Sequence, residues 1–266
     1  MTQCNMNTVL KLTDFEKAAM LIASMIHDVD HPYILFNKRG KNNTYLVTTN
    51  SELALNYNDK SVLENHHIAY SYKIISDKEF NIFENLTTIE YKQIRKIIIS
   101  IIMCTDLASH FYELGNFKGR VVNLSMKFVH LGENNFASMP EEDKLCIISN
   151  CVHFADISNQ SKDWAICFKW TEYLYDEFFA QGDVERSKQL PLGFLNDRYK
   201  TNIGSAQVSF IEKFISPSFE ALAILLPKVK NLIEIIAKNK KNWSDLIDHY
   251  DKKLRELEKN PNPITD

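Results

Sequence analysis

His27 and Asp28 stand side by side, with Asp30 and His31 just beyond them. Imidazole nitrogen and carboxylate oxygen are donors that zinc and other divalent ions accept. The pair follows the apolar stretch Ala18 to Ile26. Both groups should therefore fall at a helix end, at the mouth of a loop open to solvent or substrate. Glu64-Asn65-His66-His67 is a second cluster. His153 and Asp156, at i and i+3, share one helical face, and Asp106 with His110, at i and i+4, share another. Each pair taken alone is also what a helix cap, a surface ion pair or ordinary packing produces. Four of them in one chain are the material of a divalent-metal hydrolase, some groups on the ions and others orienting them. Gln207 and Phe210, again at i and i+3, offer a carboxamide able to read a nucleobase edge and a ring able to stack on it. An amphipathic helix with a buried Phe and a solvated Gln has the same spacing.

The elements that must position these groups are helices. Gly and Pro number only 7 each among 266 residues, which argues against many-turned β architectures and for long helices. Thr13-Asp14-Phe15-Glu16 and Ser61-Val62-Leu63-Glu64 have the capping-box form. The second should open a helix running to about Ile75. Helical patterns also cover residues 88–114, 141–156, 164–181, 205–226 and 228–258, with Pro227 breaking the last pair. Residues 30–50 carry Gly40, several Asn and no helical period, and read as a loop. The expectation is an all-α chain: one domain over 1–258 and a polar tail over 259–266. At 45% hydrophobic and 24% charged residues, it can bury a sizeable core.

Composition excludes several functions. A net charge of −3 and a pI near 6.3 lack the basic footprint of a nucleic-acid binder. Lys228, Lys230, Lys238, Lys240 and Lys241 read as a solvated face. Five cysteines without a C-x-x-C suit reduced thiols in a cytosol-like compartment. The longest apolar run, near Ile97–Met103, is too short to span a bilayer, and no signal-peptide pattern opens the chain. Neither glycine-rich phosphate-loop motif occurs.

His27-Asp28-Val29-Asp30-His31-Pro32 resembles the metal motif of class I cyclic nucleotide phosphodiesterases. Further matches are Thr49-Asn50-Ser51-Glu52-Leu53-Ala54, Tyr57-Asn58-Asp59, Ser61 to His67, Thr105-Asp106 with His110, and His153 to Asn159. Glu177 to Glu185, Asp197-Arg198, Gln207 to Ile211 and Pro217 continue the order as far as about Leu226. The resemblance implies a compact all-α bundle. It implies attack of a metal-bridging hydroxide on the phosphorus of a 3′,5′-cyclic nucleotide, giving a 5′-monophosphate in cyclic-nucleotide signalling. By the same resemblance, His27, Asp28 and Asp156 hold a tight Zn2+, and Asp28 bridges to a second ion, Mg2+ or Mn2+. His31, Glu64 and Asp106 support that second ion's water shell or the hydroxide. Gln207 bonds the base, and Phe210 clamps it with Leu174 and Phe178. Asn159 matches a base-contacting position of cAMP-preferring members, which tilts the expectation to cAMP with cGMP as an alternative. Oligomeric state is left open.

Two departures accompany the match. The family carries an H-N-x-x-H motif upstream of the H-D pair, whose first His protonates the departing O3′ and whose second is a metal ligand. The 26 residues before His27 contain no histidine. On this reading the chain starts just after that motif. Loss of a general acid removes about 10²- to 10⁴-fold in rate, and loss of a ligand costs at least the ~10- to 100-fold in metal affinity of an outer change. A catalytically silent metal- or nucleotide-binding module is therefore the rival expectation. Second, Tyr33 to Arg39 stand between Pro32 and Gly40, where the family runs directly into the glycine. These residues are either a real loop beside the metal motif or a translated intron. Ser209, where the family usually has Gly, and Gln160, where it often has Pro, are milder changes.

Overall fold

Thr13 opens the first long helix, α1 (Asp14–Ile26), through the capping box its sequence predicts. Its hydroxyl accepts from Glu16 N at 3.2 Å, and the Glu16 carboxylate accepts from Thr13 N at 2.8 Å. The structure, a computed structural model, describes residues 6, 10–34, 39–131 and 139–259, without the side chains of 33, 34, 39 and 125–131. Cys4, residues 35–38 of the insert and the tail beyond Lys259 lie outside the described residues.

After α1 come β1 (Tyr33–Ile34), β2 (Arg39–Gly40), α2 (Asn43–Thr48), α3 (Glu52–Asn56), α4 (Val62–Ile75) and α5 (Thr88–Met103). Then follow α6 (His110–Leu131), α7 (Glu141–Asp156), α8 (Trp164–Ser187), α9 (Ile203–Phe210), α10 (Ser216–Leu225), α11 (Lys230–Asp245) and α12 (Ile247–Lys259). The expected all-α class holds. The only extended pairing among the described residues is the antiparallel β1–β2 ribbon, with Tyr33 opposite Gly40 and Ile34 opposite Arg39.

α1 packs on α5, α5 on α7, and α6 lies between α7 and α10. The shared core is aliphatic and aromatic: Ala19, Ala23, Ile98, Ile101, Ile102, Phe117 and Phe154 are at most fractionally exposed. Burying each such large side chain stabilises the fold by about 1.5–3 kcal/mol. No single helix among the described residues is long and apolar enough to cross a membrane.

Four expectations change. The pattern over 88–114 is not one helix. It breaks at Cys104–Asp106, where the Asp106 carboxylate accepts from Ala108 N at 2.9 Å and starts a short 3-10 turn leading into α6. Residues 30–50 are not all loop, because Asn42 caps α2 by accepting from Tyr45 N. Ser61 precedes α4 but does not cap it: its backbone is left-handed, φ 40°, and its hydroxyl makes no cap bond. The last helical pattern splits at Leu246 into α11 and α12.

Candidate active site

α1 ends at Ile26, so His27 leaves the helix with its ring free to be aimed. Its Nδ1 faces the Ser24 carbonyl at 2.9 Å. A carbonyl can only accept, so Nδ1 carries the hydrogen, and Nε2 is the nitrogen left to take a proton that it donates to a carboxylate or to offer its lone pair to a metal. Nε2 points at Asp156 Oδ1, 3.2 Å away at the end of α7, and at Asp28 Oδ2, 3.4 Å away. In a metal-free protein the Asp156 hydrogen bond, with help from Asp28 and against burial, raises the His27 pKa to about 9. Two carboxylates on one imidazole nitrogen make a place for a cation. This tautomer and donor set fit a divalent metal, for which an outer hydrogen bond normally fixes the ligating ring. Among the described residues, however, no three His, Cys, Asp or Glu side chains are already drawn together as a metal site.

His67 repeats the arrangement on α4. It is almost fully buried, its Nδ1 bonds Val29 O at 2.7 Å, and its Nε2 lies 3.8 Å from Asp28 Oδ1. Burial lowers its pKa. The His31 ring stacks on it at 5.6 Å, and His66 bonds Asp30 at 2.9 Å. Asp30 itself adopts φ 56°, a left-handed conformation that Asp tolerates better than most residues.

Glu64 and Asp106 belong to a second group. Asn43 joins them to the fold: its Nδ2 donates to Glu64 Oε2 at 3.0 Å while its Oδ1 accepts from Leu63 N at 2.9 Å. Asn43 therefore does the capping that the sequence assigns to Ser61. Desolvation, with Asp106 and Asp28 as like charges, raises the Glu64 pKa. Ser61 donates to Asp106 Oδ2 at 2.7 Å. The pairing of Asp106 with His110 read from i,i+4 spacing is not formed. His110 Nδ1 instead faces His153 Nε2 at 2.8 Å, both rings fully buried. His153 is fully buried and bonds His110, while the Asp156 charge still acts on its ring.

The residues proposed for a base are held on α7's exit, α8 and α9. Asn159 Nδ2 donates to Cys167 O at 3.3 Å and to Thr171 Oγ1 at 3.2 Å. Both bonds fix the amide, leaving Oδ1 as a buried acceptor without a partner. Gln207 is buried, with Nε2 donating to Tyr175 OH at 3.4 Å and Oε1 accepting from Gln160 Nε2 at 2.5 Å. Phe210 stacks on Phe214 at 5.1 Å, and Phe178 meets Tyr175 edge-on at 5.6 Å. Leu174 is 41% exposed on the same helix. Tyr175 thus links the Phe178 side to Gln207, a role the sequence does not advertise. A π-helical turn, Ile211–Ile215, follows Phe210 directly, and such turns recur at functional sites.

The stretch from Glu177 to Arg198 forms a support behind the site. Gln181 accepts from Asn42 N at 3.0 Å and donates to Glu185 at 2.6 Å. Glu185 also accepts from Gly193 N and Asn196 Nδ2, Arg186 bonds Asp197, and Arg198 pairs with Asp183. A Cβ at Gly40 would lie 2.5 Å from Glu177 Oε1 and 2.9 Å from the His31 ring, so the ribbon closes tightly over this face.

The family model "3'5'-cyclic nucleotide phosphodiesterase" matches residues 1–236. The rat protein named 3',5'-cyclic-AMP phosphodiesterase 4C is 36% identical over 232 residues, covering 86% of this chain and 41% of its own length. The 3',5'-cyclic-nucleotide phosphodiesterase regA of Dictyostelium discoideum is 34% identical over 237 residues, 89% of this chain and 28% of its own. The chain thus spans less than half the length of these curated relatives. The crystal structure of the phosphodiesterase domain of the RhoPDE fusion protein from the choanoflagellate Salpingoeca rosetta superposes with a TM-score of 0.76 at 31% identity, covering 91% of this chain and 72% of that one.

Proposed function

Because the chain belongs to the 3′,5′-cyclic nucleotide phosphodiesterase family, we propose that its site hydrolyses a 3′,5′-cyclic nucleotide to the 5′-monophosphate, with cAMP preferred over cGMP. The observation that carries the reading is the convergence of Asp156 and Asp28 on His27 Nε2, with Ser24 holding the other ring nitrogen. These three residues would hold Zn2+, and Asp28 with the group around His31, Glu64 and Asp106 would serve a second ion, Mg2+ or Mn2+. Bound ions of this kind lower the pKa of water and neutralise phosphate charge.

The chain's own residues supply the rest. Asp28 and Asp156 hold the cationic place, and Ser24 fixes the His27 tautomer. Ser61 and Asn43 keep Asp106 and Glu64 from turning away. The buried Asn159 Oδ1 favours adenine, whose exocyclic amino group donates, over guanine, whose corresponding oxygen cannot. Phe210, Leu174 and Phe178 would cover the base faces.

The test incubates the protein with Zn2+ and Mg2+ and separates the products of cAMP and cGMP by chromatography. Release of 5′-AMP, faster than 5′-GMP and abolished by Asp156→Ala, is expected. Release that Asp156→Ala leaves intact, or a 3′-monophosphate product, refutes the assignment.

A further inference from the structure

Trp164 opens α8, and Phe168 follows it by one turn. Both are half-buried and pack on Trp243 of α11, which is fully buried. The ring centroids lie 4.8 Å apart for Trp164 and Trp243, 5.6 Å for Phe168 and Trp243, and 5.5 Å for Trp164 and Phe168. Trp243 is pinned beneath the other two, because its Nε1 donates to Gln160 Oε1 at 3.0 Å. Asn239, one turn earlier on α11, donates to Gln160 O and Lys162 O at 2.9 and 2.8 Å. Trp164 and Phe168 thus form a fixed aromatic shelf. They line a surface pocket of about 320 Å3 together with Asn242, Asp245 and Leu246 at the end of α11.

Three features of this pocket favour positive charge. Aromatic faces attract cations. The Asp245 carboxylate is exposed, and among the described residues no cation pairs with it, not even Lys241 one turn earlier. The last turn of α11 holds no basic residue, so the negative end of that helix goes unanswered. The opening turn of α12 carries its own acid, Asp248. Elsewhere the chain supplies its own cations to rings: Arg95 over Tyr72, Lys169 over Tyr173 and Arg186 over Tyr199. Among the described residues none is placed over Trp164 or Phe168.

We propose that this pocket binds a small organic cation, an ammonium carrying alkyl groups, held on Trp164 and Phe168 and against Asp245. A divalent metal ion is a poor fit, because one carboxylate and one carboxamide are too few oxygen ligands for it. A neutral apolar molecule would leave Asp245 and the helix end unused. An alkylated ammonium uses every part: its alkyl groups cover the rings, and its charge is shared by the ring faces, the carboxylate and the helix end. The volume is at the small end of the roughly 300–1,000 Å3 of ligand pockets, which suits a head group the size of choline. None of the five lining residues belongs to the proposed nucleotide site, so the two ligands are independent.

The test titrates choline into the full chain and follows the indole N–H signals of its 3 tryptophans by NMR, assigned with Trp→Phe variants. A roughly millimolar Kd is expected, as for one solvent-open site of this kind. The Trp164 signal should move and that of Trp170 stay. The uncharged analogue of choline, with a tert-butyl group in place of the trimethylammonium, should bind at least about fivefold more weakly. Asp245→Asn, a change at an exposed residue, should weaken choline about threefold and leave the analogue unchanged. Trp164→Leu should weaken choline by about fivefold or more, and Asp245→Asn carries the test if that variant fails to fold. Phosphatidylcholine vesicles present the same head group on a surface and should not sediment the protein. Equal binding of choline and its analogue overturns the proposal, as does an unmoved Trp164 signal at tens of millimolar choline. So does displacement of choline by Mg2+ at constant ionic strength, which marks a point-charge site, or by 5′-AMP, which puts choline in the nucleotide site. Sedimentation with the vesicles that Asp245→Asn abolishes overturns the small-molecule assignment.

Discussion

The buried His110–His153 pair should make the fold sensitive to mild acid. Each ring is fully buried, and the 2.8 Å contact between Nδ1 and Nε2 requires one nitrogen to donate and the other to accept. A proton added to the accepting nitrogen would set N–H against N–H, and one added to a ring's outer nitrogen, His110 Nε2 or His153 Nδ1, would make a buried cation whose new N–H has no partner. The rings of Phe111, Phe154 and Phe214 lie around His110 at 5.3, 6.5 and 4.8 Å and offer a cation little solvation. Burial, and then His153, push the His110 pKa down to about 4, and burial lowers that of His153. The unfolded chain takes up protons below about 6.5, whereas folded His110 does so only near 4. The unfolded state therefore binds more protons in that window, and stability falls as pH drops through it. For His110 alone the loss from pH 7.5 to 5.0 is about 2 kcal/mol, and His153 adds to it. His27 runs the other way. Its raised pKa stabilises the metal-free fold fully below about 6.5 and less as pH approaches 9. Comparison with His110→Gln isolates the pair, because Gln keeps a donor for His153 and does not titrate. Urea melts of metal-free protein at the two pH values should show a smaller pH-dependent loss in the variant. An identical loss, or a His110 NMR titration midpoint near 6.5, refutes the reasoning.

Asn43→Ala removes the bond to Glu64 and the cap on α4 together. It should cost about 1–2 kcal/mol, read as a lower urea midpoint. Gly182→Ala should be worse: its Cβ would lie 1.9 Å from the Asn196 carbonyl oxygen. A loss of roughly 2 kcal/mol or more is expected by the same melt, and unchanged stability would contradict the packing of α8 against the Gly193–Asn196 turn. Ser61→Ala removes the hydroxyl that donates to Asp106 Oδ2. It should lower 5′-AMP release severalfold while costing only about 1 kcal/mol in stability.

Local signals carried the helices well. Thr13 caps α1 as its spacing predicts, and residues 141–156 are helical end to end. Where long-range partners compete, local signals mislead. Ser61 has a capping-box neighbour in Glu64, yet Asp106, 45 positions away, takes its hydroxyl. Residues 88–114 contain no proline and keep an apolar period, so nothing local announces the break that Asp106 imposes. Asp28 and Asp156 lie beside His27 Nε2, and the i,i+4 logic fails for His110 because His153 offers a better buried partner. Gln160, Tyr175 and Trp243 were invisible because their bonds to the base-side glutamine and to one another join α8, α11 and a 3-10 turn. Asn43 left a faint signal: an Asn-Asn-Thr run in a supposed loop is a helix-start composition.

The π turn at Ile211–Ile215 makes chain length itself an adjustable property of this site. The wide turn takes up one residue more than α geometry would, so the helical segments on either side keep their facing. Removing one would restore ordinary α geometry with Gln207 and Phe210 still aimed as they are relative to Ile215 and Phe219, which are anchored in the core. One codon can thus be gained or lost at this turn without re-aiming either residue.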